Sequence, residues 1–328
     1  MLRATRRDVI ATIAAGGAVG LAGVRPAAAQ VLQKLRVSTI PIIDTAPLAA
    51  AIAQGYFKEE GLDVDTTPIV GGAVGLPAVA AGQVQIGYSN LVSIVLGAQQ
   101  GLGFRIIAAG SASGDAPPNT AGLFAKIGSG FKTAADLEGK RIGVNTRNSI
   151  NWLVVREWAR LNGGNPDRLT FLEVPFPSMA DALRGNQIDA GYTVEPFLSA
   201  AVASGTMEII GWPYDRIMKR VPISQFVATK SYLDANSQVA ERWVRAYNRG
   251  IDWMNQNQRS DAGVKLIAAH TRLAPEQVRT IAMPLWDKTV SAASIAKVVE
   301  VMRQHRMLEG DGKVDVDGLI YETAAAAK

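Results

Sequence analysis

A repeated stretch constrains the fold of this chain of 328 residues more than any other feature. Gly185-Asn186-Gln187-Ile188-Asp189-Ala190-Gly191-Tyr192-Thr193-Val194-Glu195-Pro196-Phe197 reads as a helix end, a very short apolar strand and a polar turn leading outward. The same design stands roughly a hundred residues earlier as Gly82-Gln83-Val84-Gln85-Ile86-Gly87-Tyr88-Ser89-Asn90. Setting Val84 on Ile188 places Gly87 on Gly191, Tyr88 on Tyr192 and Ser89 on Thr193. What precedes each copy also matches: strand, polar loop, helix, strand, loop, helix. A half-sheet built twice implies two similar lobes. In open α/β sheets the loops that leave the carboxyl ends of the strands are where ligands bind. The expected fold is therefore α/β and two-lobed, each lobe a mixed sheet flanked by helices, with the two polar rims facing across a cleft.

The chain is long enough for two domains with a sizeable core, and 48% hydrophobic against 19% charged residues is a globular balance. There is no cysteine, which excludes disulfides, zinc–thiolate sites and thiol nucleophiles. The two histidines, His270 and His305, lie far from either repeat, so no histidine-based metal or triad chemistry, and no cofactor, is expected. The N-terminus reads as an address. Paired arginines in Thr5-Arg6-Arg7-Asp8 precede a Gly/Ala-rich apolar run, and Ala27-Ala28-Ala29 offers a small-residue cleavage site before Gln30. This pattern predicts a bacterial twin-arginine export signal over residues 1–29 and a soluble product. Removing it takes away four arginines and one aspartate, which lowers the formal net charge from +5 to +2. The remaining charge gives no reason to expect nucleic acid or a membrane surface.

In chain order, Leu35-Arg36-Val37-Ser38-Thr39-Ile40 alternates as a first strand, and residues 41–45 form the first rim loop. Pro47 suits an early helical position, Gly71-Gly72-Ala73 a second rim loop, and Asn90 a helix cap. Residues 111–120, with Gly114 and Pro117-Pro118, are the expected crossing between lobes. Lys140-Arg141-Ile142-Gly143-Val144 restarts the repeat, and Ile209-Ile210 and Phe226-Val227-Ala228 are expected as strands carrying the chain back. The expected division is a first part of lobe I at 30–115, lobe II at 116–224, and the second part of lobe I with C-terminal helices at 225–328. Trp243, Tyr247, Met254 and Met302 fall on helical stripes that read as core.

The candidate ligand residues sit at the rims. Gly72 and its neighbours can present backbone N–H groups to an anion, or be a plain glycine turn. Asn145-Thr146-Arg147-Asn148-Ser149 places four neutral hydrogen-bonding side chains and one guanidinium at a predicted helix start. It serves either an anionic ligand or a solvated cap. Tyr88, Ser89, Asn90 and Tyr192 supply aromatic faces and polar groups from the two repeats, unless the tyrosines pack within their own lobes. Glu195, before Pro196, and Asp44 with Thr45 in the first loop can meet a ligand donor; Glu195 can equally stabilise a helix N-terminus. If either carboxylate faces the cleft, a zwitterion becomes a better ligand than a simple anion.

Enzyme signatures fail on inspection. Gly87-Tyr88-Ser89 lacks the last glycine of a nucleophile elbow, and Gly139-Lys140-Arg141 lacks the upstream glycine and the Ser/Thr of a phosphate loop. Asp315-Val316-Asp317-Gly318 echoes part of a calcium loop, but Lys313 and Ala324 stand at its first and last ligand positions. The pattern points to a receptor for a small solute.

Ala53-Gln54-Gly55-Tyr56-Phe57-Lys58-Glu59-Glu60-Gly61-Leu62-Asp63-Val64 resembles the first-repeat signature of the nitrate/sulfonate/taurine family of ABC-importer solute receptors. Ala80-Ala81-Gly82-Gln83-Val84-Gln85-Ile86-Gly87 and Asp136-Leu137-Glu138-Gly139-Lys140-Arg141-Ile142-Gly143-Val144 are similar to its later signatures, as is the stretch from Gly185 to Phe197. The resemblance implies the two-lobed periplasmic binding fold of the second type. It also implies a monomer that delivers its ligand to an inner-membrane permease driven by a cytoplasmic ATPase. Members bind alkanesulfonates, nitrate, taurine, aromatic carboxylates and pyrimidine vitamin precursors, so the ligand stays open, with a small organic anion expected from Arg147. An enzyme that makes the thiamine pyrimidine shares the fold, but its cysteine-rich motif cannot exist here. A ligand sensor acting through a signalling partner is the third reading.

Overall fold

The structure is a computed structural model and describes residues 31–325. The export signal expected over residues 1–29 lies outside them. The first lobe begins with β1 (Gln33–Thr39), in which Leu35 and Val37 turn inward, followed by α1 (Ala46–Ala53) and α2 (Tyr56–Glu59). Then come β2 (Leu62–Pro68), α3 (Gly72–Ala80), β3 (Ile86–Asn90), α4 (Leu91–Gln99) and β4 (Phe104–Ala112). The chain crosses to the second lobe, which runs through β5 (Ala121–Lys126), β6 (Arg141–Val144), α5 (Ile150–Leu161), β7 (Thr170–Glu173), α6 (Met179–Arg184), β8 (Ala190–Val194), α7 (Phe197–Ala203) and β9 (Met207–Gly211). It returns through β10 (Pro222–Thr229) into α8 (Lys230–Asn257), α9 (Asp261–Thr271), α10 (Pro275–Val278), α11 (Ala292–Gln304) and α12 (Val316–Leu319).

The repeat is visible in the sheets. Lobe I has strand order β2-β1-β3-β10-β4 and lobe II β7-β6-β8-β5-β9. In each, the three repeat strands are parallel and the fourth is antiparallel to its neighbours. The antiparallel strand is in each case the first one after a crossing, so each lobe is completed by the chain arriving from the other. Two expectations are corrected here. Ile209-Ile210 belongs to β9, an edge strand of lobe II, and only β10 carries the chain back. The boundary expected at 224 falls inside β10, which already pairs with β4 at Pro222.

Lobe I holds the larger aromatic core. On α8, Trp243 and Tyr247 stack at 5.1 Å, and Phe226 of β10 meets Tyr247 edge-on at 4.9 Å. Each such ring contributes about 1.5–3 kcal/mol by burial, and the paired geometry adds about 0.5–1.5 kcal/mol. Glycine in mid-helix is otherwise unfavourable, but Gly250 lets α8 lie against α1: a Cβ there would stand 2.3 Å from the Pro47 carbonyl oxygen.

Both crossings are tied to each other. The Ser113 N–H donates to the Val221 carbonyl at 3.0 Å, and the Val221 N–H donates to Ser113 Oγ at 2.9 Å. A paired two-segment connection of this kind permits bending between lobes and resists twist. No helix among the described residues is long and apolar enough to cross a membrane.

Candidate ligand cleft

The rims of the two sheets meet around a cavity of about 40 Å³. The first lobe contributes Asp44, Gly72, Tyr88 and Asn90, and β10 adds Ile223 and Ser224. The second lobe contributes Asn145, Ile150, Asn151, Phe176 and Val194, and the return crossing adds Tyr214. The lobes are closed on each other here. Asn90 caps α4 by accepting from the Ser93 N–H at 3.0 Å, and the same Oδ1 accepts from the Ile150 N–H of lobe II, also at 3.0 Å. One side chain therefore satisfies the first turns of two helices on opposite lobes. At the mouth, a Cβ on Gly71 would lie 3.3 Å from Asn145 Nδ2.

Asp44 dominates the electrostatics. It is 3% exposed; Ser111 Oγ donates to its Oδ1, while its Oδ2 has no hydrogen-bond partner among the described residues. Burial raises its pKa from 3.8 to about 6, against the lowering effect of the Ser111 hydroxyl. Its backbone carbonyl accepts from Trp286 Nε1 at 3.0 Å, which pins the loop from beneath. Four tyrosines, Tyr88, Tyr192, Tyr214 and Tyr247, are all pushed up, by burial first and in each case also by the Asp44 charge. Among the described residues no arginine or lysine lines the cavity. Further orphaned polar atoms stand at the strand ends: Ser89 Oγ on lobe I, and Tyr192 Oη and Thr193 Oγ on lobe II. Buried polar groups in native proteins are ordinarily paired, so Asp44 Oδ2 in the wall marks a place for a hydrogen-bonding ligand atom, whereas Ser89, Tyr192 and Thr193 do not line the cavity.

Of the sequence candidates, the structure brings Asp44, Gly72, Tyr88, Asn90 and Asn145 to the cavity wall. Gly72 is required there by packing, since a Cβ would meet Ser89 Cα at 2.7 Å. The remainder stand elsewhere. Arg147 is exposed, and its guanidinium donates to the Phe171 carbonyl on its own lobe while its N–H donates to Glu173 Oε1 at 2.7 Å. Its expected place in the cleft is corrected: the edge strand β7 offers free backbone acceptors, and the side chain turns to them. Asn148 is exposed with φ of 52° and makes the turn. Ser149 is the α5 cap, its hydroxyl donating to Thr146 O at 2.8 Å. Thr146 is half-buried, and its Oγ1 has no partner among the described residues.

Thr45 serves the fold. Its hydroxyl lies 2.6 Å from the Ile40 carbonyl and 2.8 Å from His270 Nε2. Ser89 and Tyr192 are fully buried just behind the wall. Glu195 is 3% exposed and accepts from the Ser199 N–H at 3.1 Å and hydroxyl at 2.6 Å, the helix-terminal role open to it in the sequence. Burial raises its pKa from 4.5 to about 7, with a further push from Asp44. The sequence reading missed Asn151, Tyr214, Phe176 and Ser224. Asn151 was within reach, two residues past the cap and bonded through Nδ2 to Asn145 Oδ1 at 2.7 Å. Tyr214 comes from the return crossing and Ser224 from β10, and neither carries a rim signature.

The chain is similar to known binding proteins. It is 24% identical over 218 residues to the formylaminopyrimidine-binding protein of Halalkalibacterium halodurans, a match over 64% of this chain and 62% of that one, less than two thirds of the relative's length. The structure superposes on the alkanesulfonate-binding protein SsuA from Xanthomonas axonopodis pv. citri bound to MOPS, with TM-score 0.74, 16% identity and coverage of 88% of this chain and 98% of that one. It also superposes on the periplasmic nitrate-binding protein NrtA from Synechocystis PCC 6803, with TM-score 0.72, 14% identity and coverage of 89% and 86%. At these identities the structural likeness shows the fold, that of the periplasmic binding proteins. The family described as NMT1/THI5 like matches residues 42–260, more than half of the chain, and the chain belongs to it.

Proposed function

We propose that this chain is an exported solute-binding protein that captures a small nitrogen-bearing organic ligand between its lobes for an ABC importer. The observation that carries the ligand class is Asp44, a buried carboxylate in the cavity wall whose Oδ2 has no partner among the described residues. A ligand N–H or ammonium completes that carboxylate with a charge-assisted hydrogen bond. The simple anion expected from Arg147 would instead meet Asp44 in a wall to which the described residues bring no lysine or arginine. An amino-substituted heterocycle, of the kind for which the formylaminopyrimidine-binding relative is named, suits the amides of Asn90, Asn145 and Asn151 and the rings of Tyr88, Phe176 and Tyr214. A cavity of about 40 Å³ is well short of the ~150 Å³ that holds a benzene ring, so loading requires the lobes to part at the paired crossings.

The test is a thermal-shift screen followed by calorimetry, with aminopyrimidines, amino-sulfonates, alkanesulfonates and nitrate as ligands. Aminopyrimidines are expected to bind without turnover, and Asp44→Asn to weaken them at least about tenfold. Tight binding of an alkanesulfonate or nitrate that is unaffected by Asp44→Asn would overturn the ligand class, and turnover would overturn the receptor.

A further inference from the structure

A second cavity, of about 210 Å³, opens beside the hinge on the lobe I side. The ends of β4 and β10 form its floor, through Ser111 and Gln225. Lys219 and Arg220, from the return crossing, stand on one wall. The other wall is the start of α11, where Ser291 caps the helix by accepting from the Ser294 N–H at 3.2 Å. Arg220 is already committed, donating to both carboxylate oxygens of Asp287 at 2.8 and 2.9 Å. Lys219 therefore leaves the lining with one positive charge in surplus, opposed from behind the floor by Asp44, to which the Ser111 hydroxyl donates. The first-turn amides of α11, a helix of 13 residues, add a local positive potential.

Neither the charge nor the helix end alone defines a site; Gln225 supplies the specific feature. It is 1% exposed, lines this cavity, and its Oε1 has no hydrogen-bond partner among the described residues. A buried amide oxygen accepts and cannot donate, so a fully ionised anion would leave it unpaired. An oxyanion that keeps one O–H satisfies both halves of the site. Its hydroxyl donates to Gln225 Oε1, and its charged oxygens accept from Lys219 and from the hydroxyls of Ser291 and Ser294 on the same wall.

We infer that the cavity between the return crossing and the start of α11 is a second binding site, for a small hydroxylated oxyanion of the hydrogen phosphate type. Hydrogen phosphate carries a proton near neutral pH and sulfate does not, so the two probes separate this site from a general cation patch.

The experiment is isothermal titration calorimetry of the full chain with inorganic phosphate and with sulfate at pH 7.5. The variants are Lys219→Ala, Gln225→Leu and, in the cleft, Asn145→Ala. Saturable one-to-one binding of phosphate is expected, with sulfate at least about tenfold weaker. Lys219→Ala should weaken phosphate several-fold, Gln225→Leu should erase the preference over sulfate, and Asn145→Ala should change neither. No saturable phosphate binding, equal binding of sulfate, or unchanged binding in Lys219→Ala would each overturn the inference. So would a loss confined to Asn145→Ala, which would place the anion in the cleft. Lys219 is exposed, so that variant keeps its fold and decides the matter if Gln225→Leu does not fold.

Discussion

Asp44 and Arg147 exchange the importance that their residue types suggest. A guanidinium at a helix start is the stronger sequence signal for a ligand, yet Arg147 found the Phe171 carbonyl at a sheet edge and left the cleft. Asp44 had no such outlet: it is folded under a loop that Trp286 and Ser111 hold in place. Arg147→Ala is therefore expected to leave ligand affinity within about twofold in calorimetry. The cleft carboxylates also give the protein a pH signature. Asp44 and Glu195 have folded pKa values raised to about 6 and about 7 from 3.8 and 4.5. Between those limits the folded state binds more protons than the unfolded one, so their contribution to stability falls as pH rises through roughly 4–7. The expected outcome is that Asp44→Asn raises the melting temperature at pH 8 relative to the native chain and changes it little at pH 4. Melting curves at the two pH values check it.

At the scale of elements, the joints between lobes are helix ends and helix flanks. Asn90 joins α4 to α5 through one oxygen. Farther back, His305, at the end of α11, lies 2.8 Å from Glu157 of α5, with both side chains buried. Arg160 also holds Glu157, at 2.7 and 2.8 Å. Burial lowers the His305 pKa and outweighs the raising effect of Glu157, so at neutral pH a neutral imidazole donates to the carboxylate. Arg160 and His305 hold Glu157 below its ordinary value against the opposing effect of burial. Both shifts favour the latch at neutral pH and weaken it in acid, as histidine must take up a proton below its ordinary 6.5 and Glu157 below 4.5. His305→Ala is expected to cost about 1–3 kcal/mol in urea unfolding at pH 7.5, because it removes a buried donor from a carboxylate, and distinctly less at pH 4. The strands and helices of the repeats were legible in the sequence because each carries its own periodicity and glycine punctuation. The α5–α11 contact was not, because it joins residues 148 apart with no shared pattern.

For the whole molecule, the paired crossings predict a bend about Ser113 and Val221. Small-angle scattering should show the radius of gyration falling when a saturating cleft ligand is added, while Asn90→Ala, which removes a cross-lobe bond, should shift the unliganded chain toward the larger value. Curves that are identical with and without ligand, and in Asn90→Ala, would mean that the lobes do not open. By itself the sequence determined that there are two lobes of like topology and that their rims hold the polar residues, because periodicity, glycine turns and a repeated half-sheet are local properties that survive without contacts. Only the tertiary structure decided which rim residues reach the cavity, that β5 and β10 each complete the other half's sheet, and that an acid rather than a base stands in the cavity wall. Those outcomes depend on where long-range packing leaves each side chain a partner: Arg147 found one outside the cleft, and Asp44 Oδ2 was left without one among the described residues inside it.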